Sequence, residues 1–140
     1  MTIKEIQDTI IEEMAMFDDW SDKYEYIIEL GKKLNTIAED KKTEENKIKG
    51  CQSNVWLDAQ LVDEKVIFSA DSDAVIVKGL VSLVLKVFSN QKPQDIIDAN
   101  LDFIEKTGLS QHLAQTRSNG LLSMVKQIKF YAMAFSVQNK

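Results

Sequence analysis

Residues 53–70 read SNVWLDAQLVDEKVIFSA, and the period of this run decides the fold. Ser53, Val55, Leu57, Ala59 and Leu61 share one face of an extended chain, while Asn54, Trp56, Asp58 and Gln60 share the other. Asp63–Glu64 can reverse the direction, and KVIFSA (65–70) returns as a β-branched second strand. The run therefore predicts an antiparallel hairpin. Immediately after it, Asp71–Ser72–Asp73 offers N-cap residues for AVIVKGLVSLVLKVF (74–88). The valines of that segment favour a strand, but its length and its cap predict a largely buried helix, in which Gly79 permits close packing.

On the N-terminal side of the hairpin the period is helical. Thr2 and Glu5 have capping-box spacing, and Ile3, Ile6, Ile10 and Met14 follow at helical intervals, which predicts a first helix to about Met16. A second helix restarts after Asp18–Asp19, with Tyr24, Ile27, Ile28 and Leu34 as its apolar stripe and Lys32–Lys33 at the negative end of its dipole. Residues 35–47, NTIAEDKKTEENK, are polar and aperiodic and read as a solvated loop with room for a short helical turn. On the C-terminal side, Pro93 suits the first position of a short helix to about Ala99, and LDFIEKTG (101–108) reads as another, closed by Gly108. Ser118 is the expected cap of a last helix carrying Leu121, Met124, Val125, Ile128, Tyr131 and Phe135 along one side. The expectation is one α+β domain over 1–140: a small antiparallel sheet of about three strands, covered by helices from both ends of the chain.

Composition narrows the function. The 140 residues are 44% hydrophobic and 28% charged, close to soluble globular averages. No apolar run approaches the roughly 20 residues that cross a bilayer, and MTIKEIQDTI lacks the layout of a signal peptide, so no membrane partner is expected. The formal charge of −5 lies wholly in residues 1–50, where 13 acids face 8 lysines. Residues 51–140 balance 9 acids against 9 bases, with no basic stripe of the kind nucleic acid requires. A single cysteine cannot form an internal disulfide and fits a reducing, cytoplasmic setting.

That cysteine, Cys51, sits in IKGCQSNVW (48–56), between Gly50 and the polar pair Gln52–Ser53. Free cysteine is often only a small buried hydrophobe. Here, however, Gly50 frees the backbone just before a strand, and the strand's alternation, extended back, puts the Cys51 side chain on the inward face of Val55 and Leu57. A reactive thiol needs nearby positive charge or donors. Lys47 and Lys49 are close in sequence, whereas His112 and Arg117, the chain's only histidine and arginine, can be delivered only by folding. Arg117 precedes an expected helix N-terminus, where backbone N–H groups favour anions; as surface residues, His112 is a polar helix side chain and Arg117 an ion-pair former. Two potential Cys or His ligands are too few for a structural zinc or iron–sulfur site, and no C-x-x-C, P-loop, G-x-S-x-G or G-x-G-x-x-G motif is present. Neither metal nor cofactor is expected. Any chemistry falls to Cys51, and a hydrolase or transferase pairing Cys51 with His112 stays open as an alternative.

Four ordered blocks, KYEYIIELGKKL, NKIKGCQSNVW, DSDAVIVKGLVSLV and LSQHLAQTRSNGLLSM, closely resemble the SufE family of sulfur-acceptor proteins, from about Trp20 to Lys129. The combination of G-C-Q-S-x-V-W with a later R-S-x-G-L carries the resemblance. It implies an α+β fold similar to the IscU-type scaffold proteins, with Cys51 as a persulfide acceptor. It further implies a SufS-like cysteine desulfurase as donor, holding the PLP that this chain itself lacks, and a SufBCD-like scaffold as recipient. By the same resemblance the protein is an activator of the desulfurase rather than an enzyme, and a monomer or weak dimer. Gly50, Gln52, Asp73, His112 and Arg117 are expected in supporting roles.

Overall fold

The computed structural model describes residues 1–138. The hairpin is β1 (Val55–Val62) paired antiparallel with β2 (Lys65–Ser72), in register from Val55 opposite Ser72 to Val62 opposite Lys65. Asp63 and Glu64 both take positive φ (50° and 67°), the left-handed pair that a two-residue hairpin turn needs to match the twist of its strands. Val55 and Leu57 of β1, and Val66, Phe68 and Ala70 of β2, are buried as the alternation requires.

Seven helices complete the described fold: α1 (Ile3–Ala15), α2 (Trp20–Gly31), α3 (Val75–Phe88), α4 (Pro93–Asp98), α5 (Phe103–Lys106), α6 (Leu109–His112) and α7 (Gln115–Gln138). The capping box forms as its spacing predicts: the Glu5 amide donates to Thr2 Oγ1 and the Thr2 amide to Glu5 Oε1. Asp19 caps α2, and Pro93 opens α4.

The sheet has two strands among the described residues, not three. The polar segment 35–48 explains the difference. It is more than a solvated loop, because it runs along both edges of the hairpin without extending into a strand. Asn35 and Ile37 exchange backbone hydrogen bonds with Ala70 on the β2 edge, and Asn46 and Ile48 bond Leu57 and Val55 on the β1 edge. Each contact is a single bridge, separated by a 3₁₀ turn at Glu39–Lys41. Edges that would otherwise template pairing with another chain are thereby covered.

The central element is α3. It packs on β2, α2, α1 and α7, so a mid-chain helix covers the sheet while the terminal helices pack against α3. Past its first turn its leucines and Val81, Val84 and Val87 are buried as the sequence predicts, whereas Val75 at its start is exposed; Phe68 and Phe88 are fully enclosed in the core. Burying side chains of this size contributes roughly 1.5–3 kcal/mol each. At the α2–α3 crossing the backbones nearly touch: a Cβ on Gly79 would lie 2.4 Å from the Ile27 carbonyl oxygen.

Two helix starts differ from expectation. Asp73 does not cap α3; Ala74 is the capping position and has no side-chain bond. The Asp73 carboxylate instead accepts from the Asn54 amide (3.1 Å) and from Asn54 Nδ2 (2.8 Å). Likewise α7 begins at Gln115, three residues before Ser118, with the Ala114 carbonyl accepting from the Arg117 and Ser118 amides.

Candidate functional site: the Cys51 loop and its cavity

Cys51 lies on the short loop between Ile48 and Asn54, and both ends of that loop are tied down. Ile48 is buried and donates its amide to the Val55 carbonyl (2.8 Å). Asn54 is held by two bonds to the Asp73 carboxylate, and the Asp73 amide returns a third to the Asn54 carbonyl (3.3 Å). Between these anchors Gly50 takes φ +89°, a conformation that L side chains rarely adopt, and this turns the chain so that Cys51 points inward.

The loop rests on α7 at two small residues one helical turn apart. A Cβ on Gly50 would come within 2.9 Å of Ser123 Oγ, and a Cβ on Gly120 within 3.1 Å of Cys51 Sγ. The thiol donates to the Gly120 carbonyl at 3.7 Å. Cys51 is half-buried, and burial raises its thiol above the ordinary value of 9.0.

Cys51, Gln52 and Ser53 form one side of a cavity of about 330 Å³. Val55, Val77, Leu80, Val81, Leu121 and Met124 supply its apolar wall, and Ala114, Thr116 and Arg117 its outer rim. A water molecule occupies about 30 Å³ of liquid, so a further atom of sulfur's size fits beside Sγ with room to spare.

The structure brings together Cys51, Gln52 and Arg117 at this cavity, leaves Gly50 outside its lining against Ser123, and sets Asp73 behind it as the anchor of the loop. Gln52 is exposed at the mouth. Arg117 is exposed on the rim and forms no ion pair among the described residues. His112 is elsewhere. Its ring stacks on Trp20 with centroids 3.8 Å apart, and its carbonyl accepts from the Tyr24 hydroxyl. No described hydrogen bond joins Cys51 to His112, and the thiol's partner is a carbonyl, which cannot take up its proton.

Several cavity residues are not singled out by the sequence. Val77, Leu80 and Val81 read as core positions of α3, and nothing in one sequence separates a residue facing a cavity from one facing a packed neighbour. Gly120 does carry a signal: an isolated glycine within a helical run costs about 1 kcal/mol against alanine and points to a packing or functional reason. Among the described residues no cluster of His, Cys, Asp and Glu could hold a metal ion. No described helix is long and apolar enough to cross a membrane.

Comparison with known proteins bears on the family and on the fold. The family model SufE, described as an Fe-S metabolism associated domain, matches residues 8–132. An uncharacterized SufE-like protein of Rhizobium meliloti is 47% identical over 130 residues, covering 87% of this chain and 91% of its own length. One from Synechocystis is 38% identical over 128 residues, covering 91% and 80%. The solution structure of a hypothetical protein from Thermus thermophilus superposes with a TM-score of 0.77 over 92% of this chain and 94% of that one. At 15% identity that likeness concerns the fold alone.

Proposed function

Given that the chain belongs to the SufE family, and through it to Fe–S metabolism, we propose that it is a sulfur carrier that accepts persulfide sulfur on Cys51 from a PLP-dependent cysteine desulfurase. The observation that carries this reading is the seat of the thiol: a sole cysteine on a tethered loop, half-buried against Gly120, beside a cavity with room for another sulfur atom.

The reaction is a thiol–persulfide exchange. The Cys51 thiolate attacks the terminal sulfur of the donor's cysteine persulfide, a new S–S bond forms on Cys51, and the donor's S–S bond breaks. Its electron pair stays on the donor cysteine, which is free for another turnover, so acceptance also stimulates the desulfurase. No external oxidant or reductant is required, because the sulfane sulfur keeps its oxidation level.

Attack requires thiolate, and burial of the seated Cys51 disfavours that form. Lifting the loop from its seat on α7 at the moment of transfer relieves that burial and gives the donor access to the sulfur. Gly50 supplies a hinge, while the anchors at Ile48 and Asn54 confine the movement to 49–53. Reseating shelters the loaded sulfur from reductants and from further oxidation until it passes to an iron–sulfur assembly scaffold.

The test mixes the protein with a desulfurase, PLP and cysteine and takes the intact mass. A gain of one sulfur atom, lost on reduction and absent in Cys51→Ser, is expected, together with a stimulated desulfurase rate that Cys51→Ser does not produce. An unchanged mass, or full stimulation by Cys51→Ser, overturns the reading.

A further inference from the structure

A second depression, of about 400 Å³, lies next to the Cys51 loop on α7. Its walls are the chain just before Cys51 and the face of α7 beyond Ser123. Three of its residues are Lys47, Lys49 and Lys126, against one acid, Glu45. Lys47 reaches Glu44 only at 3.7 Å, and Lys49 and Lys126 form no ion pair among the described residues. On a chain of net charge −5 this is a local reversal of sign. The far end is apolar: Phe130 is 62% exposed, and Met133 and Val137 continue outward along α7 at spacings of three and four. An exposed apolar stripe beside a net positive cluster, two of whose lysines form no ion pair among the described residues, is the composition of an interaction surface rather than of a solvated helix face.

The groove is also continuous with the thiol's seat. Ser123, in its wall, is the residue against which Gly50 rests, and Lys49 is the residue before that hinge. Whatever lies in the groove touches the stalk of the loop that carries Cys51.

From this charge and continuity we propose that the groove docks an acidic segment of the donor desulfurase that carries a bulky apolar side chain, with the lysines meeting its carboxylates and Phe130 its apolar anchor. This rests on the sulfur-acceptor reading above. Binding there brings the donor to the side of the loop on which Gly50 turns, and opposite charges speed the encounter.

The test measures desulfurase stimulation against carrier concentration for the native chain and for a Lys126→Glu/Phe130→Ala variant. Both positions are exposed and lie outside the Cys51 loop, and circular dichroism checks that the variant is folded. The expected result is a half-saturating concentration raised about tenfold. A weaker dependence on salt than the native chain shows is expected with it, since one of the interacting charges has been reversed. Native and variant curves that coincide overturn the groove while leaving sulfur acceptance by Cys51 intact. A native chain that neither gains sulfur nor stimulates overturns the parent reading instead. Sedimentation velocity on the native chain and the variant closes the other possibility: self-association that the variant abolishes assigns the stripe to a second copy and overturns the proposal.

Discussion

Cys51 Sγ and the backbone of Gly120 are in direct contact: the thiol donates to the Gly120 carbonyl at 3.7 Å, and a Cβ at position 120 would stand 3.1 Å from the sulfur. The loop and the last helix approach this closely because residue 120 has no side chain, and this pair sets how firmly the thiol is held at rest.

Replacing Gly120 tests that fit. In Gly120→Ala the new methyl enters well inside the ~3.5–4.0 Å range of ordinary heavy-atom contact, and the tethered loop gives way more easily than the helix. The expected outcome is several-fold faster alkylation of Cys51 by iodoacetamide at pH 8. The change in melting temperature is small, because alanine's better helix propensity (about 1 kcal/mol) offsets part of the overpacking. An unchanged alkylation rate contradicts the seat.

The pH dependence of the thiol follows from its burial. Because burial raises the folded pKa above 9.0, the alkylation rate of the native chain climbs at higher pH than that of the urea-unfolded chain. The same shift has a sign for stability. Below 9.0 the thiol is neutral in both states and its contribution is fully present. As pH rises past 9.0 toward the folded value, only the unfolded chain ionises, and stability is lost. Denaturant melts of the native chain and Cys51→Ala at pH 8 and pH 10 separate this contribution from the rest.

Asp73 holds the far end of the loop. Asp73→Ala removes both carboxylate bonds to Asn54, at a site exposed enough that the cost in global stability stays below about 1 kcal/mol. The local effect is larger: amide exchange over 50–54 accelerates and Cys51 alkylation rises, with Asp73→Asn intermediate. Exchange confined to its native rate overturns the anchoring role.

Gly79 tests the scaffold rather than the site. Its added Cβ meets the Ile27 carbonyl at 2.4 Å, a clash with backbone that no side-chain rotation relieves. Gly79→Ala therefore costs about 3 kcal/mol in a urea melt, the upper end of ordinary overpacking. A loss under about 1 kcal/mol, the lower end of that range, contradicts the observed α2–α3 approach.

Much of this protein is legible one segment at a time. The hairpin, the Thr2–Glu5 capping box, the restart of the second helix after Asp18–Asp19, the proline start of α4 and the helical state of the valine-rich α3 follow from period and local chemistry within a few residues. The misreadings arise where local cues compete for one residue. Asp73 has the side chain of an N-cap, but Asn54 lies opposite it across the hairpin end and takes its carboxylate. Ser118 is as good a cap, but the chain is already helical three residues earlier. The third strand fails for a related reason: 35–48 bonds the sheet edges at single points, which leave no period in the sequence.

The sequence by itself determined the main element types and the place of the hairpin turn, and it singled out Cys51 as the candidate for any chemistry, because each of these depends on neighbours a few positions apart. Tertiary structure alone decided that Cys51 rests on Gly120, 69 positions away, that Arg117 rims its cavity, and that His112 stacks on Trp20 instead. The physical reason is that a cavity and a thiol's proton affinity belong to the surfaces that meet around them. Those surfaces come from a loop, α3 and α7, and only the packing of the whole chain sets the distance between them.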